Sequence, residues 1–207
     1  SGFAVYFGDM KAYAYAVDAN TGQQIWTRKV DNHPAASITG ALALSAGRVY
    51  VPVQGLSEEG QGGRAGYECC TFRGSVSALD ANTGAPVWKT YTVEESKPRA
   101  KNKDGVQMYG PAGGGIWSAP TVDTQRGFIY VATGNGYAEP AQKNTDAVLA
   151  LDMKTGAVKW VNQATPNDLW TMGCRPQNPD NPSCPGTLGP DFDFSASPSL
   201  ARVNGRD

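Results

Sequence analysis

Histidine is almost missing from this chain. His33 is the only one among 207 residues, and no Cys-x-x-Cys pair occurs, so a zinc site of the usual Cys/His kind is not expected. Charge is sparse as well: charged residues make up 18% of the sequence, the formal net charge is −1, and Lys and Arg do not cluster. A nucleic acid or an anionic membrane surface therefore finds no electrostatic footprint. No apolar run approaches the ~20 residues of a membrane-spanning helix. A signal peptide is not legible either, and because the chain opens at Ser1 its N-terminus is silent about localisation.

Turn chemistry is plentiful. With 25 Gly and 14 Pro, the composition suits many short strands and tight turns better than long surface helices. One signature, Ala-x-Asp-x-x-Thr-Gly-x-x-x-Trp, occurs three times. It runs from Ala16 through Asp18 and Gly22 to Trp26, from Ala78 through Asp80 and Gly84 to Trp88, and from Ala150 through Asp152 and Gly156 to Trp160. Such self-similarity marks a repeat architecture. The Asp can accept hydrogen bonds from the turn that follows it, and the Gly supplies a positive φ without a Cβ clash. The Trp stands on the next strand as a plate whose full burial is worth about 4–6 kcal/mol as an upper bound. These residues read as scaffold that holds neighbouring blades together.

A weaker repeat, at 38–42, 116–120 and 194–198, falls in matching places after each motif Trp and is expected to form the innermost strands. The first two copies lead into alternating strands at 48–53 and 128–132. The expected fold is all-β, a β-propeller of four-stranded antiparallel blades. Residues 1–207 would form one partial propeller domain with blade ends near Trp26, Trp88 and Trp160. Closed propellers take 4–8 blades, so the chain reads as about three blades of a larger ring, and the remaining blades are expected partners. An array cut in mid-blade leaves an open edge and an uncovered core.

Function is expected in what interrupts the repeat. Blade two carries a long loop from about Gln54 to Arg73, and blade three a shorter one from about Gly134 to Asp146; such loops are the usual place for a binding site. Thr39, Trp117 and Ser195 are expected to open on that same face. Four cysteines, Cys69 and Cys70 side by side and then Cys174 and Cys184, favour an oxidising compartment, periplasmic or secreted. Two pairings stand open. Neighbouring Cα atoms lie ~3.8 Å apart across a trans peptide, closer than ordinary disulfides want, so a Cys69–Cys70 bridge would close a small rigid ring. In the other pairing each joins Cys174 or Cys184. A Cys174–Cys184 bridge would pin a Pro- and Asn-rich loop, worth about 2–3 kcal/mol.

Five stretches carry a family resemblance: 31–40, Tyr67-Glu68-Cys69-Cys70-Thr71-Phe72-Arg73-Gly74, 116–121, Thr133-Gly134-Asn135, and 189–194. Over nearly its whole length the chain resembles the quinoprotein alcohol dehydrogenases, which bind pyrroloquinoline quinone on an eight-bladed propeller, and among them the polyvinyl-alcohol-dehydrogenase-like branch. The resemblance implies an oxidoreductase that moves hydride from a small, secondary or polymeric alcohol to the quinone. It implies calcium as a Lewis acid on the quinone carbonyl. A cytochrome c or another electron acceptor is implied too, with haem c in the full-length protein or a partner.

Residue by residue, the resemblance makes Trp117 the plane on which the quinone stacks, Cys69 and Cys70 a vicinal disulfide against it, and Thr39 and Arg73 further cofactor contacts. Asn135 becomes a calcium ligand, with Glu68 and Glu59 (Glu58 beside it) competing to supply the carboxylate. Taken without the resemblance, Trp117, Asn135 and Thr39 read as a core Trp, a turn Asn and a strand Thr. Two departures bear on mechanism. Cys69-Cys70 lies where the methanol-oxidising branch has its glutamate ligand. Thr171, after Trp170, stands where that branch carries its general-base aspartate, and a Thr hydroxyl cannot act as that base near neutral pH. Asp193 and Asp168 are the expected replacements, with Asp191 beside them. The rival readings are a non-enzymatic propeller scaffold of the outer-membrane assembly type and a cofactor-binding relic that has lost its base.

Overall fold

The structure, a computed structural model, describes residues 2–175 and 180–203. Strands β1 (Ala4–Gly8), β2 (Tyr13–Asp18) and β3 (Gln24–Lys29) pair in that order as the first blade. β4 (Ala43–Ser45) and β5 (Arg48–Val53) are followed by a short helix, α1 (Leu56–Gln61), then by β6 (Ser75–Asp80) and β7 (Pro86–Tyr91). These four strands pair β4-β5-β6-β7. A hairpin of β8 (Lys97–Lys101) and β9 (Gln107–Gly110) and the two-residue β10 (Ala112–Gly113) lead on to β11 (Thr121–Asp123), β12 (Phe128–Ala132), β13 (Gly136–Ala138), β14 (Ala147–Asp152) and β15 (Val158–Gln163). Here β13 leaves the blade to pair with β10, and the others pair β11-β12-β14-β15. Among the described residues no helix is long and apolar enough to cross a membrane.

The motif works as its residue types dictate. Asp18, Asp80 and Asp152 each accept the N–H groups two and three residues on, at 2.9–3.0 Å. Gly22, Gly84 and Gly156 take φ of 71°, 68° and 74°. Trp26 and Trp88 each reach into the following blade. Trp26 Nε1 donates to the Ala81 carbonyl at 2.9 Å and Trp88 Nε1 to the Met153 carbonyl at 3.2 Å, in both cases the residue after the next motif Asp. Each ring also lies on the next motif glycine, where a Cβ would come within 2.7 Å at Gly84 and 2.5 Å at Gly156. Trp160 meets no further blade among the described residues and stays 44% exposed.

The innermost strands begin later than expected, at Ala43 and Thr121, while 38–42 and 116–120 run as irregular chain. Crowding near the ring axis explains this. A Cβ on Gly40 would lie 2.7 Å from the Ser118 carbonyl carbon, and the Thr39 hydroxyl donates to the Trp117 carbonyl at 3.3 Å. These two segments meet each other across blades instead of pairing within a sheet. Residues 194–198 likewise form no strand: the Thr121 hydroxyl donates to the Pro198 carbonyl, and no described strand pairs with them.

Val53, Ser75 and Tyr91 are paired at one end of blade two, and Ala132 and Val148 at the same end of blade three. Both insertions therefore open on the face opposite the motif turns. Apolar clusters fill the gaps between blades. A third cluster, with Val53, Cys69, Cys70, Phe72, Met108 and Tyr137, lies beneath the insertions.

Candidate functional site

The long insertion is built around α1, whose first turn carries Glu58 and Glu59, both buried. Successive helical residues point about 100° apart, and these two carboxylates serve different neighbours. Glu58 accepts the N–H of Thr71 at 3.0 Å, the N–H of Phe72, and the Tyr67 hydroxyl at 3.1 Å. It anchors the segment after the cysteine pair. Glu59 Oε2 accepts the Tyr137 hydroxyl at 3.2 Å.

Glu59, Asp191 and Asp193 converge, with one carboxylate oxygen from each lying within 4.8 Å of the others. Asn135 joins them from the shorter insertion. Its N–H donates to Asp193 Oδ1 at 2.8 Å, and its Nδ2 donates to the carbonyls of Gly136 and Trp170 at 3.0 and 2.8 Å. Those two bonds fix the amide's orientation and leave Oδ1 buried without a partner. Trp117 Nε1 is also buried and unpartnered. Only glycine fits at 134, because a Cβ there would collide with both the Trp117 indole nitrogen and the Asp193 carboxylate.

These acids repel one another's charge. Burial pushes Glu59 up to about 8, and the carboxylates of Asp193 and Asp191 add to the rise. Burial, then Asp193 and Asp168, raises Asp191 to about 6. Asp193 is raised by burial and by Asp168, against the Asn135 N–H, which lowers it. Asp146 has both oxygens buried and unpartnered, and burial followed by Asp168, Asp193 and Asp191 takes it to about 8. A bound cation relieves this kind of crowding. The donor set, carboxylates and one orphaned amide oxygen, suits a hard ion such as calcium.

The expected residues fall into two groups. Glu59, Asn135 and Asp193 come together, Trp117 borders them, and Thr39, itself exposed, is tied to Trp117. Asp168 is buried nearby, but its oxygens accept the N–H groups of Asp191 at 3.2 Å and Phe192 at 2.9 Å. It shapes the turn that presents Asp191 and Asp193. The others lie apart. Glu68 is exposed and outside the cluster. Arg73 donates to the Val93 carbonyl at 3.1 and 2.9 Å and lies 3.9 Å over the Tyr91 ring. It lines a cleft of about 340 Å³ with His33, Thr71 and Lys89, which Trp117 does not border. The Thr171 hydroxyl is spent on Cys174 Sγ at 3.1 Å. Cys69 is bridged to Cys70 and Cys174 to Cys184, which decides the open pairing; residues 176–179 of the second loop lie outside the described residues. The vicinal pair is buried in the cluster with Phe72, Met108 and Tyr137.

Sequence reasoning assigned nothing to Tyr137 and Asp146. Tyr137 lies two residues beyond Asn135 on β13, a strand too short to read from periodicity. Asp146 takes φ 45° immediately before β14, a conformation Asp tolerates better than most residues, but its acidic neighbours Asp168, Asp191 and Asp193 lie far along the chain.

Comparison with known proteins bears on the family and the fold. The family model described as "PQQ: Glucose/ethanol/alcohol dehydrogenase, beta-propeller domain" matches residues 61–179. Polyvinylalcohol dehydrogenases from Pseudomonas sp and Sphingopyxis sp. (strain 113P3) are each 44% identical, over 96% and 97% of this chain and 30% and 31% of their own. The chain thus spans under a third of the length of these curated relatives. Among solved structures, the quinohemoprotein alcohol dehydrogenase ADHIIG from Pseudomonas putida HK5 aligns with a TM-score of 0.63 at 26% identity, over 83% of this chain and 27% of that one.

Proposed function

Because the chain belongs to the PQQ glucose/ethanol/alcohol dehydrogenase β-propeller family, we propose that it supplies the cation-binding part of a quinone-dependent alcohol dehydrogenase. The observation that carries this reading is the buried Asn135 Oδ1, left without a protein partner beside the converging carboxylates of Glu59, Asp191 and Asp193. A partner-binding scaffold has no need of an orphaned acceptor there.

Glu59, Asn135 Oδ1 and Asp193 would hold calcium, and Trp117 would carry the quinone, with Thr39 at its edge. When bound, the quinone beside calcium supplies the acceptor for the alcohol's hydride. Asp191 accepts no described hydrogen bond and stands beside the proposed cation site, with burial, Asp193 and Asp168 raising it to about 6. It is the group suited to take the hydroxyl proton; Asp168 positions its backbone. The alcohol is secondary or polymeric, in keeping with the polyvinylalcohol dehydrogenases among the relatives. Electrons pass on to a cytochrome c or another acceptor. Two disulfides suit a periplasmic or secreted protein.

The test reconstitutes the complete protein with pyrroloquinoline quinone and calcium and records absorption and dye reduction with secondary and polymeric alcohols. Asn135→Ala and Glu59→Gln are expected to weaken calcium binding at least ~10-fold, and Asp191→Asn to lower kcat ~100-fold with quinone still bound. No bound quinone at saturating calcium sinks the enzyme reading. Bound quinone without turnover on any alcohol makes the protein a relic.

A further inference from the structure

The cysteine pair sits behind the carboxylates and reaches them by two routes. Backbone bonds clamp it to β9: the Cys70 N–H donates to the Tyr109 carbonyl at 3.2 Å and the Tyr109 N–H to the Cys69 carbonyl at 2.7 Å. The next two N–H groups, of Thr71 and Phe72, both donate to Glu58, the helix neighbour of Glu59. His33 secures the same turn. Its Nδ1 accepts the Ala35 N–H at 3.1 Å, so Nε2 carries the proton and donates to Thr71 Oγ1 at 2.9 Å.

The second route is through packing. The Phe72 ring occupies the space a Cβ on Gly55 would need, at the start of α1. The same ring lies 6.1 Å from that of Tyr137, whose hydroxyl donates to Glu59. Cys69, Cys70, Glu58, Phe72 and Tyr137 are each no more than 2% exposed. A close-packed interior of this kind transmits displacement instead of absorbing it.

We propose that the Cys69–Cys70 bridge is a positioning element of the cation site: by fixing Thr71 and Phe72 it holds Glu58 and Tyr137, and through them the Glu59 carboxylate. The inference rests on the cation site proposed above. It differs from a cofactor contact in what it controls, since loss of the bridge loosens calcium even when no quinone is present. Outer partners of a metal-binding carboxylate typically matter 10–100-fold in affinity.

The test is calcium affinity by titration calorimetry on the complete protein without quinone. Cys69→Ser/Cys70→Ser is expected to weaken binding ~10–100-fold and Tyr137→Phe by less. Their combination should weaken it by less than the product of the two, because both act along one route. Phe72→Leu keeps the pair but loses the ring contact, and should reproduce part of the loss should the serine variant fail to fold. Affinity within twofold of wild type, or losses that simply multiply, overturns the proposal. A serine variant that keeps calcium but loses quinone makes the pair a cofactor contact and also overturns it. A wild-type protein that binds no calcium removes the cation site itself, and this inference with it, before any variant is compared.

Discussion

Asp152 shows what one side chain contributes. The N–H of Thr155, then the Lys159 ammonium and the N–H of Lys154, bring it down to about 2. An unfolded carboxyl sits near ~3.9. The folded state therefore gains stability above that value and loses it as the pH falls towards 2. Asp152→Asn is expected to lower the denaturant midpoint at neutral pH and to flatten the acid limb between roughly pH 4 and 2, so that the two profiles converge towards pH 2. Asp18 and Asp80, lowered by the same turn bonds, behave alike. The acids at the site run the other way: Glu59 and Asp146 lie in burial among like charges and are raised. Sequence reading distinguishes these classes only where a motif recurs. The turn bonds of Asp18, Asp80 and Asp152 are local and repeated, whereas the surroundings of Asp146 come from residues far along the chain.

At the scale of an element, the hairpin turns and the tryptophans form one device. Gly22 has positive φ with nothing within 4 Å of a would-be Cβ, whereas the same position at Gly84 is pressed by the Trp26 ring. Gly22→Ala should cost about 1–2 kcal/mol from backbone conformation alone. Gly84→Ala should add a further ~1–3 kcal/mol of overpacking. Chemical denaturation of the two variants separates the terms, and equal losses would show that the Trp contact carries no weight. Trp88→Ala should cost on the order of 3 kcal/mol, nearly all of it packing, since the Met153 carbonyl keeps its bond from Arg48 at 2.6 Å. The matching of short segments to elements was less legible. Residues 38–42 and 116–120 meet each other across blades, and a repeat alone does not tell a strand from a crossing of two loops.

For the whole molecule, the telling residue is Trp160, 44% exposed where Trp26 is 7%. Trp160 closes the same Asp-x-x-Thr-Gly-x-x-x-Trp motif as Trp26 and Trp88; it lacks a following motif glycine and carbonyl among the described residues. Trp160→Ala is expected to cost the 207-residue chain about 1–2 kcal/mol, from its contact with the Tyr130 ring 5.7 Å away. In a protein where a further blade follows, it should cost as much as Trp88→Ala. Comparing the two variants in both settings by denaturant titration checks whether blade docking, and not the tryptophan as such, is the stabilising unit.

The amino-acid sequence by itself determined the propeller, because each blade's turn, glycine and tryptophan act over a dozen residues and recur in register. It pointed to Trp117 and Asn135 only through a family resemblance, since the residues alone read as a core Trp and a turn Asn. Only the tertiary structure decided that Glu59, not Glu68, meets Asp191 and Asp193, that Asp168 shapes a turn, and that the cysteine pair packs into one cluster with Phe72 and Tyr137. The physical reason is distance along the chain. Glu59, Asn135 and Asp193 come from three separate segments, and their shared charge and orphaned oxygen exist only once packing has brought those segments to one face.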